Sequence, residues 1–180
     1  SLGFLWTKAS RFLGFGEYGQ WKVMGLAGFG DPKRFAGAFR EFVSFDENGN
    51  FAIDNAVMQF RRNSCAGFEQ LFGTQRSSDE RILDHHQDFA AALQALTDDV
   101  MLAFARYLHR ETGLKTLCQA GGVALNCVSN NRLLEEGPFE EVFIQPAAND
   151  AGTALGACFY VWNQVLNGER CQVQHHAYHG

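Results

Sequence analysis

Hydrophobic residues recur every three or four positions in several parts of the chain, which is the spacing of amphipathic helices. Residues 2–15 carry such a stripe and end in a glycine-containing segment, and residues 33–43 follow an Asp-Pro pair that suits a helix start. The longest stripe predicts a helix over residues 86–112, ended by Gly113 in a left-handed conformation. Its apolar positions are Phe89, Leu93, Leu96, Val100, Phe104, Tyr107 and Leu108.

Shorter elements are predicted between these helices. Residues 22–30 form an apolar stretch that ends in a glycine-rich turn. Residues 43–45 and 51–53 flank an Asn-Gly pair, which favours a β-hairpin. Two amphipathic segments follow at 56–62 and 66–72.

The last third alternates strand and helix. Residues 116–120 and 141–145 are predicted as buried strands, followed by helices over 123–136 and about 150–166. The connections are short enough for the strands to be parallel neighbours. Residues 169–180 have no clear period and are interpreted as a junction or tail. The expected fold class is therefore helix-rich α/β.

Composition limits the class of protein. The chain has 180 residues, of which 46% are hydrophobic and 13% aromatic, enough for a single domain over residues 1–180 with its own core. The net charge is −5 and no run of four Lys or Arg occurs, which argues against a DNA-binding protein. The longest uncharged apolar run, 156–162, is far shorter than the ~20 residues that span a bilayer.

The cysteines and the start of the chain bear on its location. Five cysteines form an odd set without a C-x-x-C pair, which indicates reduced thiols and predicts a cytoplasmic protein. Cys118, Cys127 and Cys158 fall on apolar faces and are expected in the core. The first residues lack an initiator Met and do not resemble a secretory signal, which suggests a processed or excised chain.

Candidate chemistry follows the two predicted strands, because ligands of parallel α/β sheets bind beyond the carboxyl ends of the strands. Gly121-Gly122 would let the phosphate of a ligand approach the backbone at a helix N-terminus, or it is simply a tight turn. Asn126 could bind a sugar or base, or be an ordinary polar helix residue. Asp150 could face the same crevice and bind a cation or hydroxyl, or be a helix N-cap.

The remaining polar candidates are interpreted as structural. The adjacent histidines at the start of the long helix are expected in a solvated turn, and several polar residues on its outer side are expected to face water. The H-x-x-x-H pair near the C-terminus is interpreted as part of a tail, with a metal site there as the weaker alternative. These residues are His85, His86, Asp98, Asp99, His109, His175 and His179.

The segment LCQAGGVALNCVSNNRLLEEGPFEEVFIQPAANDAGTALGACFYVW (117–162) resembles the signature of the NodU/CmcH-type carbamoyltransferases. Three further blocks fit in order: SLGFLWTKASRFLGF, KVMGLAGFG and HHQDFAAALQALTDD. The resemblance covers essentially the whole chain. It departs from the family at Gly28 and Phe29, where proline and tyrosine are usual.

This resemblance implies part of an RNase H-like half-domain of the actin/Hsp70/sugar-kinase superfamily. The family transfers carbamoyl from carbamoyl adenylate, made with ATP, to a small-molecule hydroxyl. Gly121, Gly122 and Asn126 match its nucleotide-binding turn, and Lys22 and Gly25 match the nucleotide-side wall. No catalytic residue is assigned.

Asp150 matches the aspartate that completes the family's divalent metal site, of iron type, together with two histidines that this chain lacks. One carboxylate supplies too few ligands for a transition metal. The resemblance therefore implies a truncated portion of a larger domain.

Two hypotheses remain open. The chain is either a fragment of an O-carbamoyltransferase that is inactive alone, or a standalone non-catalytic nucleotide-binding or interaction module. An open sheet edge also predicts contact with a missing half-domain or self-association.

Overall fold

The structure of the protein is a computed structural model that describes residues 1–170. Its helices are α1 (Leu2–Phe12), α2 (Gln20–Ala27), α3 (Lys33–Phe42), α4 (Asn55–Met58), α5 (Ala66–Phe72), α6 (Asp84–Thr112), α7 (Cys127–Glu136) and α8 (Gly152–Tyr160). Its strands are β1 (Val43–Phe45), β2 (Phe51–Ile53), β3 (Thr116–Gln119) and β4 (Glu141–Ile144). No helix in residues 1–170 is long and apolar enough to cross a membrane.

Helix α6 organises the core, and its predicted extent is confirmed to within two residues. Gly113 follows it with φ of +64°, the left-handed conformation that ends helices. Its buried Phe89 lies 5.0 Å from the ring of Phe12 on α1 and 4.8 Å from the ring of Phe72 on α5, between ring centroids. Other members of this phenylalanine cluster are Phe35, Phe39, Phe42 and Phe68.

The pairing of both predicted strand pairs is confirmed, but the prediction that the two parallel strands are buried was wrong: their residues alternate between exposed and half-buried, because one face of this sheet is uncovered among residues 1–170. Strands β1 and β2 form the hairpin, with Ser44 opposite Ala52. Strands β3 and β4 pair in parallel, with Leu117 opposite Val142. A second, smaller apolar cluster of Leu102, Ala105, Leu133 and Phe139 joins α6 to α7 and to the partly buried side of this sheet.

Several predicted elements are shorter than expected. The segment 56–62 is helical only over α4, because Gln59 and Arg61 adopt positive φ values of 45° and 68°. The helix predicted over 123–136 is a 3-10 turn, Gly122–Leu125, followed by α7. The helix predicted over 150–166 is α8 followed by a π-helical turn, Val161–Val165.

Two polar residues expected in water are buried, so these expectations were wrong. His86 is 5% exposed, and its Nδ1 accepts a hydrogen bond of 3.0 Å from the N–H of Leu83, which fixes the start of α6. Asp98 is 5% exposed because α7 packs on the side of α6 that was expected to face water. Periodicity identifies one apolar stripe, and it does not show when a helix is covered on its polar side as well.

The cysteine prediction was also wrong. Cys118, Cys127 and Cys158 are exposed, whereas Cys65 is buried. The exposed three lie on β3, α7 and α8, whose outer faces carry no covering layer among residues 1–170. His175, His179 and Cys171 lie outside the described residues.

Lys8 is a buried cation that the sequence pattern did not reveal. Its Nζ donates to the carbonyl oxygens of Arg62 and Ser64 at 2.8 Å and of Gln59 at 3.4 Å, and burial lowers the pKa of Lys8. All three donors of the ammonium group are thereby used. Lys8 therefore fastens the loop after α4 to α1.

The burial of His86 predicts acid-sensitive stability. Desolvation, followed by the charges of His85 and Arg76, lowers the pKa of His86 from 6.5 to about 4. As pH falls from 6.5 to about 4, the unfolded chain therefore binds a proton before the folded chain does, and the free energy of unfolding decreases by up to ~3 kcal/mol. Urea unfolding as a function of pH should show this loss, and His86→Gln should reduce it.

Gln87→Ala, the next residue along α6, removes no titratable group, so it is the matched control and should keep the wild-type pH dependence. Equal slopes for wild type and His86→Gln would contradict the assignment.

Candidate functional site

The two turns after the parallel strands are joined to each other. The N–H of Gly121, after β3, donates to the carbonyl of Ala148, after β4, at 2.7 Å. Gly121 has φ of +101° and ψ of 167°, a conformation essentially restricted to glycine. The sequence pattern predicted the glycine turn, and the structure explains why its first position has no side chain.

Asn126 follows the 3-10 turn and begins α7. Its Oδ1 accepts the N–H of Ser129 at 3.1 Å, the N-cap hydrogen bond of this helix. Its Nδ2 donates to Oε1 of Gln94 on α6 at 2.9 Å. Asn126 is 7% exposed, so it is neither an ordinary polar helix residue nor a freely available ligand group.

A cavity of about 540 Å³ lies beside this turn. One wall comes from α1, a second from the segment leading into α2 and from α2 itself, and a third from the two strand-end turns. The lining residues are Ser1, Gly3, Phe4, Trp6, Thr7, Tyr18, Gln20, Trp21, Met24, Gly122, Val123, Leu125, Asn126, Asn149 and Asp150. Three of the residues named from the sequence, Gly122, Asn126 and Asp150, therefore border one cavity.

Asp150 is exposed at this cavity. Its backbone carbonyl accepts hydrogen bonds from the N–H and Oγ1 of Thr153 at 3.1 and 2.6 Å. Helix α8 begins at Gly152 and has no side-chain cap, so the carboxylate of Asp150 does not cap it. This geometry removes the N-cap interpretation and leaves Asp150 as an exposed residue of the cavity lining.

Lys22 and Gly25 lie on α2 but do not line the cavity. The ammonium group of Lys22 lies 5.2 Å from the ring centroid of Trp21, which does line it. Lys22 therefore contacts a residue of the cavity wall, Trp21, and not the cavity itself.

The sequence pattern missed most of the cavity wall. Trp6, Tyr18 and Trp21 line the cavity. In these segments an aromatic residue is equally expected in the core, and the spacing of the three residues does not distinguish a core position from a cavity position. Gln94 and Thr97 were not identified because both lie within the helix that was recognised by its apolar positions.

Comparison with known proteins identifies the family of this chain. The sequence model described as "Carbamoyltransferase N-terminus" matches residues 1–159. The chain belongs to the carbamoyltransferase family. Within it, the chain is 36% identical over 167 residues to nodulation protein NolO of Bradyrhizobium diazoefficiens, covering 92% of this chain and 29% of that protein.

Two further relatives of this carbamoyltransferase-family chain show the range of similarity. An uncharacterised protein of Synechocystis sp. is 41% identical over 175 residues, which cover 94% of this chain and 28% of that protein. The 3'-hydroxymethylcephem-O-carbamoyltransferase of Streptomyces clavuligerus is 43% identical over 68 residues, 37% of this chain and 13% of that enzyme. The names agree with the NodU/CmcH-type family. The chain spans less than a third of the length of these relatives.

Asp150 is the residue that the sequence analysis named as a metal ligand. Within residues 1–170, no group of three or more His, Cys, Asp or Glu side chains is arranged to hold a metal ion. Asp150 therefore offers a single carboxylate ligand, and the described residues do not supply the further ligands that a metal site needs.

Asn126→Ala should destabilise the fold. The substitution removes the N-cap of α7, worth ~1 kcal/mol, and takes from the buried Oε1 of Gln94 the donor that Asn126 supplies, worth ~1–3 kcal/mol. We expect the free energy of unfolding to decrease by ~2–4 kcal/mol in urea denaturation.

The matched control is Asn131→Ala, at an exposed position of the same helix, which should change stability by less than ~0.5 kcal/mol. Similar small changes for both variants would show that the Asn126 hydrogen bonds are energetically unimportant.

Proposed function

We propose that the chain forms the nucleotide-side wall of a carbamoyltransferase site, which holds carbamoyl adenylate for transfer to a small-molecule hydroxyl. The observation that carries this proposal is that Gly122, Asn126 and Asp150 border one cavity at the carboxyl ends of two parallel strands. The same arrangement supports the assignment of the fold to an RNase H-like half-domain.

The cavity suits the uncharged part of a nucleotide. Its volume of about 540 Å³ lies within the usual range for small-molecule sites. Phe4, Trp6, Tyr18 and Trp21 give it an aromatic wall on which a planar base can stack. Its described lining contains no Lys or Arg, which favours adenosine and the carbamoyl group here rather than a phosphate chain.

The turn after β3 supplies donors for the polar edge of such a ligand. The N–H groups of Gly122 and Val123 are the first two of the 3-10 turn, so they have no acceptor within it. Gly122 has no side chain, and the space where a Cβ would lie is open to 4 Å. A ligand can therefore approach the backbone closely at this point.

The proposed reaction is an acyl transfer. The hydroxyl oxygen of the acceptor forms a bond to the carbamoyl carbon, the bond from that carbon to the AMP oxygen breaks, and the hydroxyl proton is released. The products are a carbamate ester and AMP. The printed name of the cephem relative, an O-carbamoyltransferase, supports a small-molecule hydroxyl as the acceptor class.

Substitution of Asp150 should lower carbamoyl transfer without lowering the stability of the fold. Its carboxylate is exposed and makes no capping bond, so Asp150→Asn should leave the melting temperature within ~2 °C of wild type. In a protein of the relatives' full length, we expect carbamoyl transfer to fall at least ~100-fold, comparable to the loss of one key electrostatic contact.

Glu135→Gln, an exposed carboxylate on α7 that does not line the cavity, is the matched control and should retain activity. Wild-type turnover in Asp150→Asn would refute the proposed role of this cavity in transfer.

We propose an interaction module as the second candidate function. Helix α8 has a strongly apolar sequence, GTALGACFY, and none of its residues is buried against the rest of residues 1–170. Exposed aromatic side chains continue from it into the π-helical turn: Phe159, Tyr160 and Trp162. Contiguous exposed apolar surface is typical of a protein contact.

This second candidate predicts self-association of the chain through α8. Static light scattering should show a mass that rises with protein concentration, and Phe159→Asp should lower it. Phe60→Asp is the control. It changes an exposed phenylalanine in the loop after α4, and the variant should associate like wild type. A constant monomer mass for wild type would count against self-association.

A further inference from the structure

Three polar side chains on one side of α6 are buried beside the cavity. Gln94, Thr97 and Asp98 are 6%, 0% and 5% exposed. Their spacing of three and four residues places them on the same side of the helix. Because buried polar groups are costly without hydrogen bonds, each of them needs a fixed partner.

Thr97 holds the α1 wall of the cavity. Its Oγ1 accepts the indole N–H of Trp6 at 2.9 Å and donates to the carbonyl of Leu93 at 2.8 Å. Trp6 is 5% exposed and lines the cavity. The position of the Trp6 ring is therefore set by a directional bond from α6 as well as by apolar packing.

Gln94 holds the wall formed by the turn after β3. It forms a reciprocal amide pair with Asn126, with N–O distances of 2.9 and 3.2 Å. The amide of Gln94 also donates to Oδ1 of Asp98 at 2.7 Å and to Oγ of Ser129 at 3.0 Å. Ser129 in turn donates to Asp98, so the network is closed on itself.

We propose that Gln94 and Thr97 are positioning residues that set the separation of the two cavity walls for a bound adenine nucleotide. Neither residue lines the cavity, and each acts through a residue that does. The nucleotide part of this inference rests on the proposed function. The geometric part, that α6 fixes both walls by hydrogen bonds, does not.

The test uses Gln94→Met and Thr97→Val, which keep side-chain size and remove the hydrogen bonds. ATP is the probe, and amide and indole NMR shifts report its affinity. Each variant should bind ATP about tenfold more weakly than wild type. Thr97→Ser retains the hydroxyl and should bind ATP within about twofold of wild type.

Val100→Ala is the matched control. Val100 is fully buried on the same helix, does not line the cavity, and has a side chain that cannot hydrogen-bond to a residue of the cavity wall. It should lower stability while leaving ATP affinity unchanged. If Gln94→Met and Thr97→Val bind ATP as tightly as Val100→Ala does, the positioning role is refuted and the proposed nucleotide site stands.

A second measurement needs no ligand. The amide hydrogen of Ser129 is held by Oδ1 of Asn126, which Gln94 orients. Relative to the amides of α3, its hydrogen exchange should be about tenfold faster in Gln94→Met and unchanged in Val100→Ala.

If wild type does not bind ATP, the proposed nucleotide site fails and this exchange rate decides the geometric inference alone. Faster exchange at Ser129 in Gln94→Met supports positioning of the Asn126 wall by α6, and equal exchange in both variants overturns it.

Discussion

Helix α6 is buried on two chemically different sides, and the positions of its neighbours follow from that constraint. One side carries Phe89 and the other apolar residues that pack into the phenylalanine cluster. The other carries Gln94, Thr97 and Asp98, which need hydrogen-bond partners once they are out of water. Apolar packing tolerates small displacements of a neighbouring element, whereas hydrogen bonds weaken steeply with distance and angle. The polar side therefore fixes α1 and α7 more narrowly than the apolar side can.

The cavity is bordered by two kinds of polar residue, those bonded to the polar side of α6 and those that are not. Asn126 and Trp6 lie at the cavity with their polar atoms bonded to α6, and Asp150 lies there with its carboxylate uninvolved in capping. Groups of the first kind define the shape of the cavity. The carboxylate of Asp150 has no such structural role at the start of α8. The bond from Gly121 to Ala148 brings the two kinds together, because it joins the turn that leads to Asn126 to the turn that contains Asp150.

Sequence patterns predicted the elements with strong local signals. The hairpin, α6 with its terminal glycine, and the parallel pair follow from turn chemistry and from apolar periodicity. The buried positions of His86 and Asp98 did not follow, because periodicity locates a single apolar face and cannot show that α7 covers a second one. The start of α7 was misplaced for a related reason: a 3-10 turn and an α-helix have similar apolar spacing over four residues. The family resemblance located Gly122, Asn126 and Asp150, but only the fold separates a capping amide from an exposed carboxylate.

The hydrogen bonds of Asn126 change how its role in ligand binding should be understood. Both ends of its amide are already used, by the N–H of Ser129 and by Gln94. A ligand that took the amide for itself would leave a buried partner without a hydrogen bond, at a cost of ~1–3 kcal/mol. The backbone of Gly122 lies on the same turn, has open space beside it and carries no such cost. A ligand in this cavity is therefore better bound by the backbone of the glycine turn, while the Asn126 side chain holds that backbone in place.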